Sequence, residues 1–172
     1  MTHMLVDALT PLRAYYATQV ATLSATQQTA IRMHVIAEAS DTGERVGVRA
    51  EGATLDVGVE LQSGDVVFRG RAQTMCAFLE QSGREFIVGP IMRGRLPALR
   101  MIRGTLRMEF HEGDEMTICF GGATTPDALI RLSHAEAIGL FNGTLRPEIE
   151  VMMGRVRIER GLAFLLSLER IL

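Results

Sequence analysis

Apolar residues at the start of the chain recur at three- and four-residue spacing. Leu5, Leu9, Leu12, Tyr16 and Val20 fall on one face, which predicts helix. Pro11 sits early, where a helix start or kink tolerates it. Ser24-Ala25-Thr26-Gln27 has the capping-box pattern, and Ile31, Val35 and Ile36 behind it predict a second helix ending before Asp41-Thr42-Gly43. The expected N-terminal helical segment is therefore 1–40.

The period then changes to two. Val46 and Val48 alternate with polar neighbours, as do Leu55, Val57, Val59 and Leu61. Gln62-Ser63-Gly64-Asp65 is a turn signal, and 66–70 follows as a return strand. The run 75–79 fits strand or helix. Helical spacing resumes over 82–93, and Pro97 heads another short helix with Gly104 as its stop. Leu106, Met108 and Phe110 then alternate with Arg107, Glu109 and His111 in a strand over 105–111. Glu112-Gly113-Asp114 turns the chain into a strand over 116–120, and 128–132 is a third. Ser133 and Glu136 form a capping box for a helix. Pro147 opens another that stops at Gly154. Residues 155–159 alternate as a strand, and 162–172 is a last apolar strand or helix.

The chain resembles itself. Gly94-Arg95-Leu96-Pro97 and the residues to Glu109 match Gly143-Thr144-Leu145-Arg146-Pro147 and the residues to Glu159. Each string runs glycine, leucine, proline, a methionine-bearing apolar turn, glycine, then an alternating strand with arginine and glutamate outward. Upstream, Ser82, Glu85 and Ile87 match Ser133, Glu136 and Ile138. The offset stays near fifty residues, which predicts one domain over 45–172 holding a duplication of about 53–103 and 104–172. Two such units pack as half-layers; a solenoid needs at least three.

Composition narrows the chemistry. With 172 residues and 47% hydrophobic content the chain carries enough apolar material for a core, which excludes global disorder. No apolar run approaches the roughly 18 residues of a membrane span, so stable membrane insertion is not expected. Met1-Thr2-His3-Met4-Leu5-Val6-Asp7 lacks a basic leader, and the expected location is cytoplasmic. A net charge of −2 argues against a nucleic-acid partner. All 18 basic residues are arginine, which excludes lysine Schiff-base chemistry and a P-loop lysine. Cys76 and Cys119 are too few for a disulfide scaffold or a four-thiolate zinc site and read as buried thiols.

Nothing else points to catalysis. His3, His34, His111 and His134 have no metal spacing, and Glu112, Asp114 and Glu115 lie in a turn where all three carboxylates stay solvated. No Gly-x-Ser-x-Gly elbow or phosphate loop occurs. Neither cofactor nor catalytic residue is expected, and the chain reads as no enzyme. Arg93, Arg95, Arg100, Arg103 and Arg107 are the densest charge cluster. It reads as a solvated face, with an anion clamp of Arg93, Arg95 and Arg103 as the functional alternative.

From Ala128 to Gly161 the chain resembles the sterol carrier protein-2 type lipid-binding domain. The stretch carries Ser133-His134-Ala135-Glu136-Ala137-Ile138-Gly139-Leu140-Phe141-Asn142-Gly143, then Pro147 to Gly154, then the basic alternating strand Arg155-Val156-Arg157-Ile158-Glu159-Arg160-Gly161. The match is most specific from Leu140 to Gly161; residues 104–172 follow the family's element order, and the first half fits only through the repeat. Two features depart from the family. Arg155 and Arg157 stand where its strand usually has lysines, and the N-terminal helices and duplicated half exceed a minimal domain.

The resemblance implies an α+β fold with a mostly antiparallel sheet covered on one side by helices, and a tunnel between them for an apolar ligand. The expected function is non-catalytic binding or presentation of a hydrophobic small molecule such as a lipid, fatty acyl chain, isoprenoid or quinone-like compound. The expected lining is Phe86, Ile91, Met92, Met101, Leu140, Phe141, Ile149, Met152, Met153 and Phe164. Flexible methionine thioethers suit a cavity that accepts varied hydrocarbon shapes. The alternative is a structural or interaction module that forms a homodimer or docks to a partner enzyme through its N-terminal helices.

Overall fold

The computed structural model describes residues 3–122 and 127–172. Where the period-two pattern runs, strands form: β1 (Arg32–Ala39), β2 (Arg45–Glu51), β3 (Thr54–Val59), β4 (Val66–Gly70), β5 (Gly104–Phe110), β6 (Glu115–Phe120), β7 (Ala128–Leu132) and β8 (Arg157–Arg160). They make one eight-stranded sheet in the order β3-β2-β1-β4-β6-β5-β7-β8. The class is α+β and the sheet is mixed. β1 runs parallel to β4 and β5 parallel to β7, while the other five pairings are antiparallel.

Alternation sorts the strand side chains into two faces. Met33, Val35 and Ala37, with Leu106, Met108 and Phe110 farther along the sheet, are buried in the main core together with helix residues. The other face carries charges in register. Glu38 takes Arg45 at 3.1 Å and Arg69 at 2.6 Å; Arg107 meets Glu115 at 2.5 Å, and Arg131 meets Glu109 and Glu159, each at 3.3 Å. A small second apolar cluster of Ile36, Leu61, Val67 and Cys119 lies on that face, where the β3–β4 crossover passes.

The helices are α1 (Met4–Leu9), α2 (Leu12–Val20), α3 (Ala25–Thr29), α4 (Ala72–Gly83), α5 (Gly89–Met92), α6 (Leu96–Met101), α7 (His134–Phe141), α8 (Pro147–Met152) and α9 (Leu162–Glu169). A π-helical turn, Arg84–Val88, joins α4 to α5. Two differences from the sequence pattern have physical reasons. The Ser24–Gln27 capping box forms, but its helix ends at Thr29, and 32–39 is strand rather than the rest of an N-terminal helical segment 1–40. Val35 and Ile36 satisfy either period, and pairing with both β2 and β4 selects the extended form. The run 75–79, which fits either period, lies in α4, and Ser82 is buried inside the same helix. Gly104 opens β5 instead of closing α6, and the Phe164 ring stands where a side chain at 104 would go.

An order of elements recurs in the topology, in a register other than the one the glycine-punctuated strings suggest. A hairpin (β1–β2, β5–β6) is followed by a crossover to a strand parallel to the first (β4, β7) and then a helix (α4, α7). Glu38 opposite Arg69 in β1·β4 is matched by Glu109 opposite Arg131 in β5·β7, and both pairs are ion-bonded. Three residues beyond each glutamate a carboxylate accepts a hydrogen bond from the start of the helix: Asp41 from the Ala72 N–H at 2.9 Å and Glu112 from the His134 N–H at 3.2 Å. By contrast β5 lies between β6 and β7 while β8 is the sheet edge, so the strings 95–109 and 144–159 share an order of elements and differ in their place in the sheet.

Candidate ligand-binding cavity

Local chemistry in the C-terminal third opens a hollow between sheet and helices. Gly139 lets the chain after α7 fold back: the Thr144 and Leu145 N–H groups both donate to its carbonyl, at 2.9 and 3.0 Å, and Leu145 occupies the space a side chain at 139 would need. Asn142 Oδ1 secures this turn by accepting from the Thr144 N–H and hydroxyl. Pro147 starts α8 with φ already set. The buried Glu150 carboxylate then binds Arg155 through two hydrogen bonds of 2.6 and 2.8 Å, and its main-chain carbonyl receives the N–H groups of Arg155 and Val156. The Arg155 hydrogen bonds hold the Glu150 carboxyl below the usual carboxylate range. Gly161, at φ +83°, turns β8 into α9; a side chain there would strike the Asp127 carbonyl and Ala128.

The resulting cavity is about 540 Å³. Leu106, Ile130 and Ile158 rise into it from the sheet, Phe86 and Phe141 wall one side, and Leu162 and Leu165 of α9 wall the other. The aromatic wall is stiff: Phe86 and Phe141 centroids are 5.1 Å apart, and Phe68 and Phe78 back them at 5.2 Å each. Charge is confined to the rim, where Glu85, Glu148, Glu169 and Arg93 stand.

The residues expected to line a pocket separate into groups. Phe86, Leu140 and Phe141 line this cavity. Ile91 and Met92 line a second hollow of about 210 Å³ beside Leu96 and Pro97. Phe164 is partly buried, with its ring 6.1 Å from that of Phe120 and its edge against Gly104. Met101, Ile149, Met152 and Met153 are exposed at 81, 47, 86 and 64%. Of the three candidate clamp arginines only Arg93 borders the cavity; it lies 3.5 Å from Glu85 and donates to the Leu172 carbonyl. Arg103 bonds the carbonyls of Arg100 and Ile102, and Arg95 immediately precedes α6. Sequence reasoning passed over Leu106, Ile130, Val151, Val156, Ile158, Leu162 and Leu165. The inward positions of β5, β7 and β8 were the signal available for the first, second and fifth.

Elsewhere the titratable groups close on one another. Asp114 in the β5–β6 turn accepts from the Thr74 hydroxyl on α4 and lies 2.7 Å from His134 Nε2 at the start of α7. Cys76 and Cys119 are both free and buried, and burial pushes the Cys76 thiol up. Among the described residues no group of three histidine, cysteine or acidic side chains could hold a metal ion, and no helix is long and apolar enough to cross a membrane. Neither a family model nor a curated protein matches this chain.

Proposed function

We propose that the chain binds or presents a hydrophobic small molecule without covalent chemistry, in the manner of a sterol carrier protein-2 type domain. The carrying observation is the 540 Å³ cavity with its apolar interior and its charges kept to the rim. Small-molecule sites typically span roughly 300–1,000 Å³ and are lined the same way. Support for the family reading comes from the second half, where strand, capped helix, Pro147 helix, basic strand and α9 follow the family's order. The one-sided layering of helix-packed and ion-paired sheet faces fits it too. Removing apolar surface from water at about 25 cal/mol per Å² supplies the driving force, so no reactive group is needed.

The test is native mass spectrometry of the protein as purified and after delipidation, with uptake of the uncharged fluorophore N-phenyl-1-naphthylamine. Retained lipid, or saturable one-to-one uptake of the fluorophore, is expected. Absence of both overturns the reading.

A second reading is an interaction module. It is favoured by the apolar side chains left outside: Ile149, Met152 and Met153 around α8, and Leu162 and Leu166 on α9, are 47–86% exposed. Self-association through that surface would make the melting temperature depend on protein concentration, which a monomeric carrier would not show.

A further inference from the structure

The charged groups at the cavity mouth set which polar end a ligand can have. Three carboxylates, Glu85, Glu148 and Glu169, stand against one guanidinium, Arg93. That guanidinium is already engaged, by the Glu85 carboxylate at 3.5 Å and by the Leu172 carbonyl. The two other carboxylates sit on α8 and α9, at opposite ends of the segment that walls the cavity. Arg146, which precedes α8, and Arg170, which follows Glu169, do not line the cavity, and Arg155 beyond α8 is held by the buried Glu150 through both of its hydrogen bonds. The interior beyond the rim is built from leucine, isoleucine, valine and phenylalanine. An anionic headgroup arriving here would meet more carboxylates than cations and lose its water with no free guanidinium among the lining residues to replace it.

We propose that the cavity discriminates by headgroup charge, taking apolar molecules with a neutral or cationic polar end and rejecting carboxylates of the same chain. The inference rests on the cavity being the binding site, and it specifies the ligand class. It places free fatty acids outside the natural ligands and leaves alcohols, neutral isoprenoids and neutral ring compounds inside. Because Glu148 and Glu169 are solvent-exposed, the discrimination is moderate and weakens with salt.

The experiment is competition against bound N-phenyl-1-naphthylamine by 1-dodecanol, dodecanoate and dodecylamine at pH 7.5, at low and at high sodium chloride. Dodecanol and dodecylammonium are expected to displace the fluorophore at concentrations about tenfold or more below dodecanoate, the size of a like-charge contact at a partly desolvated rim. The gap should shrink at high salt. It should also shrink in the Glu148→Gln/Glu169→Gln double variant through tighter dodecanoate binding, with dodecanol unchanged. Dodecanoate competing as well as dodecanol in the parent protein overturns headgroup selection and leaves the cavity standing. No fluorophore binding at all overturns the cavity as a binding site, and this inference with it. Both substitutions are at exposed positions, and unchanged melting of the double variant shows that the comparison is between folded proteins.

Discussion

Over β2 and β3 the space beside α4 is taken by α1 and α2, whose Leu5, Leu9 and Tyr16 are buried to 0 or 1% exposure. Over β5, β7 and β8 the corresponding space beside α7 holds the cavity. The framework of the two halves is the same: hairpin, crossover, parallel strand, capped helix, and a glutamate–arginine pair in matching register. What differs is the material added to it. The first half gains β3 and two helices that turn apolar faces inward and polar faces out. The second gains β8 and α9, whose run Leu162-Ala163-Phe164-Leu165-Leu166 is apolar on every side, so part of it borders the hollow and part faces solvent. The shared frame fixes the sheet; the added helices decide whether the layer above it is solid or hollow.

Truncating one leucine in each half tests this most directly. Leu9 is 1% exposed and surrounded by core, so Leu9→Ala should cost about 2–5 kcal/mol through lost burial and a new void. Leu165 is half-buried against space that is already empty, so Leu165→Ala should cost about 1 kcal/mol or less. Chemical denaturation of the two variants gives both numbers. Equal losses would mean that the second half is packed as tightly as the first.

The same contrast shows what the residue pattern could and could not convey. Strands β2, β3 and β5 are legible from alternation and β4 and β6 from the turn signals before them, and both capping boxes form as their residues require. The pattern fails at β1, where Val35 and Ile36 fit either period and pairing on two sides decides. It also fails for the methionines. Met101, Met152 and Met153 sit at the C-terminal ends of short helices with no element above them, and only the packing of α6 and α8 determines that they face water. The hollow itself was legible in kind but not in place. Its walls come from three strands, the π-helical turn, α7, α8 and α9, and strand order cannot be read from any one of them.

Closing the cavity from its rim separates hollow from core by a smaller effect. Val151 borders the cavity and is 39% exposed, so a larger side chain can enter the space without displacing packed atoms. Val151→Trp should lower fluorophore affinity about tenfold or more while stability stays within about 0.5 kcal/mol. Unchanged affinity would place binding elsewhere. In the solid half the comparable probe is Tyr16, whose hydroxyl donates to the Gly52 carbonyl at 2.6 Å. Tyr16→Phe should cost about 1 kcal/mol at neutral pH. Burial pushes the Tyr16 hydroxyl up to about 12 from 10.0, so its contribution is complete below pH 10 and lost as pH rises towards 12. Alkaline unfolding curves should therefore be flatter for Tyr16→Phe than for the parent over that interval.

The smallest effect is expected where the halves are joined. Asp114 lies between Thr74 on α4 and His134 on α7, so one carboxylate ties both helices to the β5–β6 turn. Burial raises its pKa, but the Thr74 and His134 hydrogen bonds outweigh that and hold it below 3.8. A group lowered in this way adds stability above its unfolded value and loses it as pH falls through the folded one. Asp114→Asn keeps an acceptor for Thr74 and removes the charge beside His134. The half-exposed histidine limits the loss to less than about 1 kcal/mol at neutral pH, with parent and variant converging below pH 3.8. Acid titrations of stability give the two curves. A gap that persists undiminished at pH 3 would mean that the turn is held by packing, such as the Phe110–His134 ring contact at 4.3 Å, rather than by the carboxylate.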